Sequence, residues 1–416
     1  MERRVVVTGI GIVSPVGLTR DTTWTNLLAG TSGIGHISSF DAESFETTIA
    51  GEADGFDATD YVGRKQARRM DRYVQLGVAA TLEAVEHSGL NITPENAERV
   101  AVIVSSGIGG IITMSEQVGV LNERGPSRVS PFLVPMMLPD MASGQISMLL
   151  GAKGPNFATV SACSSGADAI GVALDLIRTG RADYALAGGS EAAICPLGIA
   201  GFNSCKALSK HNSDPQKASR PFDAERDGFV MGEGGAVLVL ETMESAIDRG
   251  ATPIAELVGY GATADAYHIT QPAPEGEGGA RAMKIALADA GIAPNEIDYI
   301  NAHGTSTVLN DKNETMAMKS VFGDHARTVA ISSTKSMTGH LLGASGSLEA
   351  AISTLVIERG QVPPTMNLDV PDADCDLDYT ANAAKSISAD TVMTNSFGFG
   401  GHNSSLIFRK PQDGAA

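Results

Sequence analysis

The sequence predicts an α/β protein built largely on parallel sheets. Three features carry that expectation. Short apolar runs rich in β-branched residues alternate with longer helical patterns, glycines gather where the two meet, and the scheme starts again near residue 250. The restart reads as an internal duplication, although the two rounds share little residue identity.

In order along the chain, "RVVVTGIG" (4–11) is a buried strand entering a glycine turn. Its continuation "GIGIVS" narrowly misses a dinucleotide fingerprint, because Ser14 stands where the third glycine belongs and Pro15 follows. "RYVQLGVAATLEAVEHSG" (72–89) sets Val74, Val78, Leu82 and Val85 on one helical face and stops at Gly89. "RVAVIVSSGIGG" (99–110) and "FATVSA" (157–162) read as further strands. "ADAIGVALDLIRTG" (167–180) is apolar nearly all round, so it predicts a helix inside the molecule. "DYALAGGSE" (183–191) and "GAVLVLE" (235–241) close the first round as strands.

The second round opens with strand "IAELVGYG" (254–261) and helix "GGARAMKIALADAGI" (278–292). "IDYINAHGTST" (297–307) and "TVAISSTKS" (328–336) are strands running into polar loops, and "GSLEAAISTLVIERG" (346–360) is a helix. "TVMTNSFGFGG" (391–401) and "NSSLIFRK" (403–410) finish the scheme.

Bulk composition narrows the function. The 416 residues are 43% hydrophobic and 19% charged, which describes a soluble chain with a large core. A formal charge of −18 argues against affinity for nucleic acid or anionic membranes. No signal peptide or transmembrane run is read, and the four cysteines lack metal-binding or CxxC spacing. Free thiols point to a reducing cytoplasm.

Chemistry concentrates at three places. Cys163, in "SACSSGADAI", lies between a β-like run and a helix whose first turn holds Ser164, Ser165 and Gly166. A helix N-terminus stabilises a thiolate, so a lowered thiol pKa is expected; a buried structural thiol fits the position as well. His303 in "NAHGTST" and His340 in "TKSMTGHLLGASG" each follow a strand, where α/β proteins place their sites. Cys195, Cys205 and Cys375 have no such setting and read as inert.

"SACSSG", "NAHGTST", "STKSMTGHLLGASG" and "NSFGFGGHN", in that order, resemble the elongating β-ketoacyl-[acyl-carrier-protein] synthases, condensing enzymes of the thiolase superfamily. "SRPFDAERDGFVMGEGGAVLVLE" (219–241) and "PPTMNLDVPD" (363–372) extend the likeness across practically the whole chain, and the type II enzymes of dissociated fatty-acid synthesis are the nearest kind. The second cysteine of thiolases and the asparagine of initiating synthases have no counterpart, while chain-length factors lack the cysteine that stands here at 163.

The resemblance implies a thiolase-like fold: two βαβαβαββ halves in layered αβαβα order, residues 1–250 with Cys163 and 251–416 with His303, His340 and a gating loop. It implies that Cys163 accepts the acyl chain and that His303 and His340 stabilise the enolate left when malonyl-carrier protein loses CO2. One such donor is worth on the order of 3 kcal/mol. Lys335 and Glu349 become a charge network around the histidines or an ordinary ion pair. Phe399 becomes the gate and, with Cys163, an oxyanion N–H; Thr305 and Thr307 contact pantetheine. Ile108, Leu133, Gly198 and Phe202 line the acyl pocket. Val308 stands where many relatives have proline, and His402 where threonine is common.

The implied partner is an acidic acyl carrier protein, with no metal and no cofactor beyond the carrier's phosphopantetheine. "RKQARRMDR" (64–72) fits such a partner, since Lys65, Arg68, Arg69 and Arg72 share a face if the stretch is one helix; Lys206 and Arg128 extend it, and a merely solvated face is the plainer reading. A homodimer follows from the fold by analogy. A polyketide ketosynthase paired with a chain-length factor, or a silent carrier-binding scaffold, are the competing functions.

Overall fold

The computed structural model describes residues 3–412. Nine strands form its sheet: β1 (Val5–Val13), β2 (Val100–Ser105), β3 (Tyr184–Glu191), β4 (Gly234–Thr242), β5 (Ala255–Ala264), β6 (Tyr299–Asn301), β7 (Ala330–Ser332), β8 (Thr391–Gly398) and β9 (His402–Arg409). Their order is β2-β3-β4-β1-β5-β9-β8-β6-β7. The halves join through β1 and β5 over only two residue pairs, Val6 with Glu256 and Val7 with Ala255. Outward from that joint each half places its first strand, then its last, its next-to-last and its second.

The sheet is mixed rather than largely parallel. Only the β2/β3, β6/β8 and β6/β7 pairs run parallel. The last strand of each half lies antiparallel between the first and the next-to-last. The cause is local in the second half, where the short turn between β8 and β9 leaves no room for a crossover helix.

Residues 157–162, expected as a strand, form none. One bridge, Val102 to Asn156, holds that stretch beside β2, in the outermost place that β7 takes in the other half. Phe157 and Val160 are exposed, and among the described residues no strand pairs on the outer side.

Six helices matter to the site: α1 (Arg72–Ser88), α2 (Ile111–Arg124), α3 (Ser165–Arg178), α4 (Glu277–Ala290), α5 (Val308–Phe322) and α6 (Ser345–Arg359). Gly89 ends α1 in the left-handed conformation that its lack of a Cβ permits.

Side-chain alternation assigns the layers. Val100, Val102, Val104, Leu186, Val237 and Val239 pack against α1. Their sheet neighbours Ala101, Ile103, Ala185, Ala187, Leu238 and Leu240 face the other way, onto α3 and α6. Val392, Leu406 and Phe408 of the second half join that same cluster, while Ile300, Met393 and Ile407 face α4 and α5. Ala142 and Ile146 of the helix Met141–Leu150 join α1 on its side, so the order is helix pair, sheet, helix pair, sheet, helix pair. Helices α3 and α6 are the innermost layer, as the all-round apolar pattern of 167–180 required.

Candidate active site

The two inner helices begin alike. A 3-10 turn precedes each one, Ala162–Ser164 before α3 and Leu342–Ala344 before α6. The first residue of each turn is held at positive φ, +51° at Ala162 and +48° at Leu342, a strained setting for residues with a Cβ. The helices cross at these ends: a Cβ on Gly166 would lie 2.9 Å from the Gly343 carbonyl oxygen, and one on Gly346 2.8 Å from Ala167 Cβ.

Cys163 sits in the first turn, half-buried, two residues short of the helix proper. It packs against the apolar cluster that holds Leu342, as do Ile108 and Phe202. Burial pushes the thiol up to about 11, against the charge of Lys335 and the backbone N–H groups of Phe399 and Cys163, which favour the thiolate. The shift is thus opposite to the one a helix N-terminus predicts, because depth outweighs the donors.

Cys163, His303 and His340 line one cavity of about 340 Å³, together with Phe202, Phe229 and Phe399. The imidazole centroids are 5.3 Å apart and the rings nearly perpendicular, at 85°. His303 follows the end of β6. Its backbone N–H and that of Gly304 each donate to the Glu314 carboxylate of α5 at 2.8 Å. Lys335 Nζ donates to the His303 carbonyl at 2.6 Å, lies 3.4 Å from His303 Nδ1, and pairs with Glu349 inside the molecule. His340 is pinned by its main chain: its N–H donates to Val230 O at 2.7 Å, and its carbonyl accepts from Gly232 N at 2.9 Å. Its Nδ1 lies 2.8 Å from Ser345 Oγ, and its ring meets Phe229 edge-on at 5.1 Å.

Both imidazoles are held well below their usual pKa, by burial first and then by the charge of Lys335. At neutral pH they are uncharged, so each has one N–H to donate. Burial pushes Glu314 up to about 7 and raises Glu349 in spite of its lysine partner.

The other expected residues divide. Thr305 and Thr307 line the cavity, 2.9 Å apart through their hydroxyls. The Phe399 ring is 6.4 Å from that of Phe202, and the neighbouring Gly398 passes so close that a Cβ would lie 3.0 Å from Cys163 N. Lys206 lines the cavity and is exposed. Of the acyl-pocket set only Phe202 is on the wall. Ile108 packs behind it with Cys163, and Gly198 is buried against the Ala193 carbonyl. Leu133 lies on the partly exposed short helix Leu133–Met137, away from this cavity.

The single basic helix face does not exist. Residues Arg64–Ala67 form one short helix, and Asp71 then caps α1 by accepting from Tyr73 N. Arg72 turns inward to Glu233, with contacts of 2.6 and 2.7 Å, while Lys65, Arg68, Arg69 and Arg128 stay exposed. Cys205, expected to be inert, is exposed and lines the cavity, and Glu314 and Ser345, which no motif singles out, hold the two histidines. "GASG" displays Ser345 at a helix start, but nothing in "NETMAMKS" marks Glu314 as a backbone clamp.

Comparison with known proteins agrees across the chain. The model of the β-ketoacyl synthase N-terminal domain matches residues 2–246, and that of the C-terminal domain residues 254–369. The chain is 50% identical over 411 residues to 3-oxoacyl-[acyl-carrier-protein] synthase 2 of Synechocystis sp., covering 99% of both chains. A β-ketoacyl synthase of Burkholderia phymatum superposes with a TM-score of 0.92 at 39% identity, over 99% of this chain and 100% of that one. A ketosynthase system solved in complex with its type II polyketide acyl-carrier protein superposes with a TM-score of 0.91 at 35% identity, again over 99% and 100%.

Proposed function

The chain belongs to the β-ketoacyl synthase family, and from that premise we propose that Cys163, His303 and His340 share a two-stage condensation. The activity is that of a 3-oxoacyl-[acyl-carrier-protein] synthase of fatty-acid synthesis, a condensing acyltransferase that lengthens an acyl chain by two carbons.

In the first stage Cys163 Sγ attacks the thioester of an acyl-carrier protein. The carbon–sulfur bond to the carrier breaks, and the thiol proton of Cys163 ends on the departing pantetheine sulfur. The N–H groups of Cys163 and Phe399, both directed at this sulfur, receive the tetrahedral oxyanion. In the second stage malonyl-carrier protein loses CO2. The electron pair of the broken bond forms an enolate whose oxygen accepts hydrogen bonds from the neutral His303 and His340. The enolate carbon attacks the acyl-cysteine, Cys163 leaves as thiolate, and burial favours its reprotonation from solvent. The Lys335 charge beside the histidines opposes their protonation, and Glu349 holds that lysine in place. No step needs a metal or a bound cofactor.

The observation that carries this reading is the single cavity walled by a thiol and two uncharged imidazoles at right angles. Incubating the purified protein with acyl- and malonyl-carrier protein tests it. Mass spectrometry should find an acyl adduct on Cys163 and a product two carbons longer; an adduct elsewhere, or none, rejects the assignment.

Acyl carrier protein is the partner. Exposed Lys65, Arg68, Arg69 and Lys206 suit its acidic surface, Lys206 at the cavity itself. The other partner is a second copy. Met114, Val118 and Leu121 stand at i, i+4 and i+7 on α2 and are exposed, as are Phe132, Met148 and Val160. So much apolar surface beside an unpaired sheet margin fits a homodimer. Light scattering at two masses per particle supports it, whereas a stable monomer, or pairing only with a cysteine-less relative as in polyketide systems, rejects it. Among the described residues no helix is long and apolar enough to cross a membrane.

A further inference from the structure

Two neutral imidazoles serve an enolate only if each turns an N–H, not a lone pair, toward it. A neutral ring has one proton and two nitrogens, so the tautomer decides. For His303 the Lys335 ammonium stands 3.4 Å from Nδ1. An ammonium only donates, so the ring proton belongs on Nε2. His340 has no such cation at Nδ1. It has Ser345.

We propose that Ser345 is a positioning residue that sets the tautomer of His340, its hydroxyl donating to Nδ1 and leaving the ring proton on Nε2. The inference rests on the condensing role proposed above and names the group that makes His340 competent for it.

Ser345 Oγ lies 2.8 Å from His340 Nδ1, and both residues are buried, at 2% and 3% exposure. Among the described residues this hydroxyl makes no other hydrogen bond. That isolation fixes the direction. Were Nδ1 the donor, the serine proton would be left buried with no acceptor; with serine donating, both groups are satisfied. Among the described residues Nε2 has no hydrogen-bond partner, and it is the nitrogen left for a substrate.

Ser165 shows that the arrangement is particular to this end of the molecule. It holds the same place, first residue of α3, but donates to Ala162 O at 2.7 Å and accepts from Ser161 N at 3.0 Å. Its hydroxyl is consumed by its own turn. The hydroxyl of Ser345 is given to the histidine.

The test compares wild type with Ser345→Ala and Ser345→Thr, each labelled with 15N-histidine, the His340 signals being assigned with a His340→Gln sample. Wild type should show a single tautomer with the proton on Nε2. Ser345→Ala should show both tautomers and lose roughly 10-fold in malonyl-carrier decarboxylation, the scale of losses when the partner orienting a functional imidazole is removed. Loading of Cys163 from acyl-carrier protein should be unchanged. Ser345→Thr, which keeps the hydroxyl, should retain both pattern and rate. An unaltered tautomer in the alanine variant, or decarboxylation and loading falling together, overturns the proposal. The nitrogen pattern is read without substrate, so it stands or falls apart from the condensing role, which the wild-type decarboxylation rate tests.

Discussion

The turn at 162–165 and the turn at 342–345 share a backbone and differ in their surroundings. Each begins with a strained residue at positive φ and opens a helix buried between the sheets. At the second residue they part. Cys163 opens on the cavity. Its counterpart Gly343 is walled in, since a Cβ there would lie 2.2 Å from Gly107 N and 2.7 Å from Glu191 Oε2. Glu191 accepts from Gly343 N at 3.0 Å and Gly107 N at 2.8 Å, so the second turn is tied down where the first is free to react. One turn supplies the nucleophile; the other aims an imidazole. A repeated scaffold has been given two chemistries by what was packed beside it.

The sharpest way to break this contrast is to erase the one reactive group. Cys163→Ala makes the first turn as inert as the second, and elongation should fall by roughly 1,000-fold or more, with no acyl adduct by mass spectrometry. Adduct formation in that variant would mean that Cys205, the other thiol on the cavity wall, shares the role. Next in size is His303→Ala. Losing one enolate donor should lower decarboxylation about 100- to 1,000-fold while Cys163 still reacts with a small electrophile; equal loss of that reactivity would make His303 part of the nucleophile's own machinery.

A pH series separates the contributions at the first turn. With the thiol near 11, thiolate is a small fraction at neutral pH and grows as pH rises toward that value. Alkylation of Cys163 by an uncharged haloacetamide should therefore climb about tenfold per pH unit from 7 to 10. A plateau below pH 9 would show that the helix end and Lys335 outweigh burial. The smallest effect belongs to the surface. Reversing charge at Lys65 and Arg69 should raise KM for acyl-carrier protein several-fold, on the order of 1 kcal/mol, and leave acyl-CoA analogues untouched. Parallel losses with both substrates would remove the docking role.

How far the sequence could be read follows the range of the interactions involved. The runs at 4–11, 99–110 and 235–241 are strands because local apolar content and flanking glycines suffice. The stretch 157–162 has the same look and fails, since a strand needs a continuous ladder and only one bridge, Val102 to Asn156, ties this stretch to the sheet edge. Residues 64–72 have helical spacing and still break, because Asp71 caps a new helix and Glu233 draws Arg72 away. Cys163, His303 and His340 stood out by motif and line one cavity. The direction of the thiol shift did not stand out, because it depends on how many apolar side chains from distant segments close over one sulfur. Glu314 and Ser345 escaped for the same reason: their importance lies in the distant group each one bonds, the His303 main chain and the His340 ring.

The narrow joint of β1 with β5 makes the two halves look separable, yet each half roofs the other's helix. Denaturant that loosened one would strip the lining from both, so no partial opening along this seam comes cheaply. Folded inward in this way, neither half would keep its core closed if the other were removed.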